Sequence, residues 1–161
     1  MYMENSKKFP KVKGRSLSGK KVTFPKDVEG EVVLIGIAFK REAQEMLDSW
    51  IDYFDILCEG KKDIYEIPMI ESSIWKIFSP IINRGMRSGI PEERHDKVVT
   101  HYGGVSDVKE QLEIEDEDLG YVFLLDEHGQ ILFKGEGYAD KEEKKELLEH
   151  IKDICSSDEE M

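Results

Sequence analysis

The run EVVLIGIAF, Glu31 to Phe39, is apolar without alternation and stops abruptly at the cations Lys40 and Arg41. A strand with one wet face alternates apolar and polar residues. A continuous apolar strand is the pattern of a central strand covered on both faces by helices. The segment behind it supplies one such cover. Ala43, Met46, Leu47, Trp50, Ile51, Phe54 and Leu57 recur at intervals of three and four, which predicts an amphipathic helix from Arg41 to Glu59 ended by Gly60. Trp50 and Phe54 lie on its apolar stripe and belong to the core.

Around this pair the chain reads as alternating strands and helices. GRSLSGKKVTF turns at Ser18 and Gly19 between strands at Arg15–Leu17 and Lys21–Phe24, and Pro25 closes the hairpin. Asp63–Ile70 is a second strand. Ser72 or Ser73 caps a helix to Ser88 carrying Trp75 and Phe78, expected to be partly exposed, with Gly89 and Pro91 as stops. KVVTHY is a third strand, Ser106–Leu112 a brief helix, and EIEDEDLG an acidic loop. YVFLLDEHGQILFKGEG forms two strands joined at His128 and Gly129. Asp140–Cys155 closes the chain as a helix with the stripe Leu147, Leu148, Ile151 and Ile154. The expected organisation is a flexible stretch 1–8, one α/β domain 9–155 and a disordered acidic tail 156–161.

Charge narrows the partners. The net charge is −12, which argues against a nucleic-acid binder. The sign is uneven, however: Met1–Lys26 holds eight Lys and Arg against Glu4 alone, leaving +7 there and −19 in the remainder. That strip reads either as a docking strip for an acidic partner or membrane surface, or as solvated lysines on an edge hairpin. No apolar run approaches the roughly 18–20 residues of a membrane span. Eight residues before Phe9 are too few for a typical transit peptide, and two cysteines, Cys58 and Cys155, suggest a reducing compartment. Cytoplasm is the expected location, with both cysteines expected as free, partly buried thiols, although their late places in two helices on one sheet face make a disulfide geometrically conceivable.

The element order resembles the thioredoxin fold with the amino-terminal hairpin of peroxiredoxin-like proteins. FPKVKGRSLSGKKV, VVLIGIAF followed by AQEMLDSW, IYEIPMIES, and GYVFLLDEHGQILFKGEGYA, in this order and spacing, resemble the mitochondrial ATP synthase assembly factors, the "ATP-ten" family. The resemblance implies a thioredoxin-like mixed central sheet flanked by helices. It also implies an assembly factor or chaperone that binds a protein client, with peripheral contact to a membrane protein.

In redox members of that superfamily a nucleophilic cysteine follows the central strand, where a helix amino terminus favours thiolate. Here Lys40, Arg41, Glu42, Ala43 and Gln44 occupy that place, and Gly120 and Tyr121 stand where the resemblance would put a cis-proline. The expected activity is therefore redox-inactive protein binding, with no catalytic residue, metal set or cofactor. Lys40, Arg41, Gln44, Gly120 and Tyr121 are the candidate binding residues, Tyr121 supplying an aromatic surface or else part of the core. Two other classes stay open: a thiol oxidoreductase or peroxidase using Cys58, and a small-anion binder at the helix amino terminus. Arg94, His95, Asp96 and His101 assemble neither a metal spacing nor a triad. Glu92, Glu93 and the acidic loop read as solvated charge.

Overall fold

The computed structural model describes residues 7–70 and 90–160, with side chains described to residue 152. Eight strands form one mixed sheet: β1 (Lys7–Lys8), β2 (Val12–Ser16), β3 (Lys21–Phe24), β4 (Val33–Ala38), β5 (Ile64–Ile70), β6 (Val99–Tyr102), β7 (Tyr121–Leu125) and β8 (Gln130–Glu136). Their order across the sheet is β1-β8-β7-β4-β5-β6-β2-β3. β4 runs parallel to β5 and antiparallel to β7, so it lies near the middle. Among the described residues the α-helices are α1 (Gln44–Leu57), α2 (Val105–Leu112) and α3 (Lys141–Glu160). The architecture is the expected thioredoxin-like α/β arrangement with an amino-terminal hairpin.

β4 explains its own composition. Val33, Ile35 and Ile37 face one core with Phe9, Val12, Phe24, Phe123 and the buried stripe of α2, Val105, Val108 and Leu112. Leu34 faces the other, with Leu47, Trp50 and Phe54 of α1 and Leu147 and Ile151 of α3. Neither face is wet, so no polar residue is tolerated on either. α1 must lie close, and glycine permits it: a Cβ at Gly135 on β8 would sit 2.5 Å from Trp50 Cζ2. The indole then donates Nε1–H to the Gly137 carbonyl at 2.9 Å.

Several boundaries differ from the sequence reading. Lys7 and Lys8, expected in a flexible stretch, pair with Ile131 and Gln130 as an edge strand. The opening hairpin starts earlier, at Val12, because Val12 and Phe24 pair across it and are both buried. A 3-10 turn, Arg41–Ala43, precedes α1, and a second, Glu92–Lys97, precedes β6. α3 continues to Glu160 instead of giving way to a disordered tail, since SSDEE contains neither glycine nor proline to stop it. The helix expected from Ser72 or Ser73 to Ser88, with Trp75 and Phe78, lies outside the described residues. Among the described residues no helix is long and apolar enough to cross a membrane.

The cysteine expectation is corrected. Cys58 is disulfide-bonded, no described cysteine is free, and Cys155 on α3 is the only other cysteine in the sequence. Free thiols were expected because helix axes pack about 8–10 Å apart. That spacing overstates the separation, because Cα atoms on facing surfaces stand about 2.3 Å off each axis and so approach to roughly 4–5 Å. The ground for a reducing compartment goes with it.

Candidate functional site at the β4–α1 junction

The junction begins where β4 leaves its two cores. Lys40 is extended and exposed, and the Ala43 amide closes the 3-10 turn onto the Lys40 carbonyl at 3.1 Å. Ala43 is buried and offers no capping side chain to α1, while Glu42 and Glu45 place carboxylates in the first turns. The helix dipole is thus met from within the chain.

Lys40 is matched as well. Its ammonium hydrogen-bonds Asp118 of the acidic loop, and that bond and the aspartate charge raise the lysine pKa. The lysine is therefore charged at neutral pH, and the pair weakens only as pH rises through the raised value. Arg41 differs. It is exposed and makes no ion pair among the described residues.

Gln44 opens a second network. Its Nε2 donates to Asp48 Oδ1 at 2.9 Å and to Glu66 Oε1 at 2.7 Å, while Glu66 Oε2 accepts from Arg94 Nη2 at 3.1 Å. The Glu66 side chain is 15% exposed, so this ion pair is held partly out of water and is worth more than a surface pair. The amide of Gln44 is locked by it.

Gly120 lies directly on α1. A Cβ there would meet Leu47 Cδ2 at 3.0 Å and the Ala43 carbonyl at 3.1 Å, and its amide points to Met46 Sδ at 3.4 Å. Gly120 thus positions the junction and exposes no surface to a partner. Tyr121 departs from its aromatic-surface expectation: it is 1% exposed and sits in the core opposite α1. Its hydroxyl donates to the Asp116 carbonyl at 2.9 Å and accepts from the Asp116 amide at 3.2 Å, and burial pushes its pKa up. The tyrosine pins the acidic loop whose Asp118 holds Lys40.

The structure thus brings Lys40, Arg41, Gln44 and Gly120 together and sends Tyr121 inward. Sequence reasoning missed Asp118 and Glu66, and it named Arg94 without joining it to the junction. Lys40 and Asp118 are 78 residues apart, and only the fold shows that one carboxylate in EIEDEDLG serves the junction. Lys109 takes another, Glu117, at 2.6 Å.

The remaining polar clusters brace the hairpin. Asp96 accepts hydrogen bonds from Ser18 and Lys20, which lower its pKa. His95 Nε2 meets the Ile90 carbonyl at 2.9 Å, and His101 Nδ1 meets the Lys13 carbonyl at 2.6 Å. No group of three His, Cys, Asp or Glu among the described residues could hold a metal ion. Cys58 stands at the carboxyl end of α1, about 20 Å along the helix from the junction.

A family model described as ATP10 protein matches residues 2–154. A search of curated proteins finds no match. Among solved structures the chain is similar to BsSco, a member of the Sco family of cytochrome c oxidase assembly proteins, at 14% identity over 94% of this chain and 95% of that one, TM-score 0.61. Yeast Sco1 matches at 16% identity over 90% and 94%, TM-score 0.60. A thiol:disulfide interchange protein DsbE from Chlorobium tepidum matches at 15% identity over 93% and 96%, TM-score 0.57. At these identities the structures speak for the fold.

Proposed function

Because the chain belongs to the ATP10 protein family, we propose that it is an assembly factor that acts by binding a protein client, not by thiol chemistry. The observation carrying this reading is the β4–α1 junction, where Lys40–Gln44 supply no oxidisable group and Asp118 and Glu66 fix the surrounding side chains. A rigid polar platform suits recognition. Arg41 is the group left to reach out, and it contacts a carboxylate or backbone carbonyl of the client. The client class that the family implies is a subunit of ATP synthase.

The small-anion reading is weaker, since Asp118 already occupies Lys40 and Glu42 and Glu45 oppose a second negative charge. Catalysis by Cys58 is weaker still. Thiolates are favoured at helix amino termini, and Cys58 lies at the other end, 2% exposed and disulfide-bonded. Purified protein is expected neither to reduce a disulfide substrate nor to consume peroxide; rates that scale with protein and vanish in Cys58→Ser would restore the enzyme.

The binding test is Arg41→Glu in a crosslinking pull-down from the native host. Client capture should fall about tenfold, as for loss of one charge-assisted contact, while stability changes by no more than about 0.5 kcal/mol. Lys21→Glu on the opening hairpin is the control. Capture that survives Arg41→Glu and fails with Lys21→Glu would move the client site to the hairpin.

A further inference from the structure

We propose that the outer face of the β2–β3 hairpin is an electrostatic docking face for an anionic lipid surface. The inference rests on the charge distribution and is independent of the client reading. Strand alternation buries Val12, Phe24 and Ser16 on the inner face and turns Lys13 and Arg15 outward, with Lys21 directly opposite Arg15 and Thr23 opposite Lys13. Lys13, Arg15 and Lys21 are exposed and make no ion pair among the described residues. Lys11 and Lys26, also exposed, flank the open end of the hairpin.

Like charges facing each other across a strand pair are destabilising. This chain carries many more acidic than basic residues, yet none of the described carboxylates is brought to Arg15 or Lys21. Protection of an edge strand does not require these cations. The β3 edge is already blocked by Asp27, whose Oδ2 accepts from the Thr23 amide at 2.7 Å, and the cations project from the face of the ribbon.

The face is also rigid. Arg15 Nη1 donates to the Gly19 carbonyl at 2.9 Å, Lys20 pairs with Asp96 at 3.3 Å, and the Leu17 amide reaches the Val98 carbonyl at 3.0 Å. It offers cations and Thr23 without an aromatic or apolar anchor, and protein interfaces depend on such anchors. The cavity beside the turn, lined by Leu17, Ser18, Gly19, Glu92, Glu93, His95 and Asp96, carries three carboxylates against one histidine and would not favour an acidic peptide. Three cations on one face of the ribbon, with Lys11 and Lys26 near its open end, fit a sheet of headgroups, each adding to attraction within a Debye length of about 10 Å. Beyond that distance the negative remainder of the chain is screened.

The experiment is vesicle cosedimentation of the full chain, using phosphatidylcholine vesicles with and without phosphatidylserine, at low and high salt. Wild type should sediment only with the anionic vesicles and be released by salt. The triple variant Lys13→Gln, Arg15→Gln, Lys21→Gln should lose roughly a hundredfold in partitioning, at about fivefold per cation. Melting temperature verifies that it folds, and the single Lys21→Gln, expected to lose about fivefold, serves if the triple does not. Absence of anionic-vesicle binding overturns the proposal, as does binding that the variants retain. Binding to polyglutamate without binding to vesicles overturns it too, in favour of an acidic protein.

Discussion

Replacing Trp50 by alanine should lower the unfolding free energy by about 3–5 kcal/mol and the melting temperature by roughly 10 °C. The indole is fully buried, its ring centroid 5.5 Å from that of Phe133, and it fills the space that Gly135 leaves by lacking a Cβ. Truncation therefore opens a cavity between α1 and β8 and leaves the Gly137 carbonyl without its indole donor. Trp50→Phe separates the two effects: it keeps most of the packing and loses the hydrogen bond, at about 1–3 kcal/mol. Gly135→Val should be as harmful as the alanine variant in wild type and milder in a Trp50→Ala background, where the clash is gone. Denaturant unfolding reads all four proteins. A loss below about 1 kcal/mol for Trp50→Ala would mean that the indole does not hold α1 on the sheet. The contact bears on function because α1 carries the junction. The close approach of Gly120 to Leu47 and the Ala139 amide's bond to the Ser49 hydroxyl also set its height above β7 and β8.

What was legible in the sequence was local. The unbroken apolar run of β4, the three-and-four spacing of α1 and the turn at His128 and Gly129 each carry their signal within a few residues, and each element is present. The overall topology became legible through family resemblance, because several such strings occur in a fixed order. The side-chain environment of the site was not. Tyr121 was a candidate aromatic surface because it adjoins the junction in sequence, but its face is decided by register. It pairs with Ile37, which faces the α2 side, so Tyr121 faces that side and Val122 faces α1. A shift of one residue would reverse both. Likewise, nothing local in EIEDEDLG distinguishes Asp118, which holds Lys40, from Glu117, which pairs with Lys109, or Asp116, which accepts from the Asp118 amide. Lys40 and Arg41 are adjacent and chemically alike, and their difference in availability comes entirely from a carboxylate on a distant loop.

Reducing the Cys58 disulfide should cost about 2–4 kcal/mol of stability, since its loss frees the unfolded chain from a long closed loop. The expectation has a direct count attached to it. Protein denatured without reductant should show no reactive thiol, and two after reduction, Cys58 and Cys155 being the only cysteines. Two thiols before reduction would overturn the disulfide and restore the reducing compartment as the expected setting. In native buffer the reductant should act slowly, because Cys58 is 2% exposed and packed with Phe54, Ile64 and Ile151, so attack awaits opening of that core. Mild denaturant should speed reduction strongly. A redox-active disulfide would behave in the opposite way, reacting readily with thiols in the folded state and exchanging with a substrate. Tyr53 ties α1 to α3, its hydroxyl donating to the Lys144 carbonyl at 3.3 Å. Cys58 lies at the end of α1 away from Lys40 and Arg41, so Cys58→Ala should weaken the fold while leaving client capture at the junction intact at temperatures where the variant remains folded. Loss of capture by the folded variant, with Arg41→Glu harmless, would shift the functional weight from the junction to the disulfide.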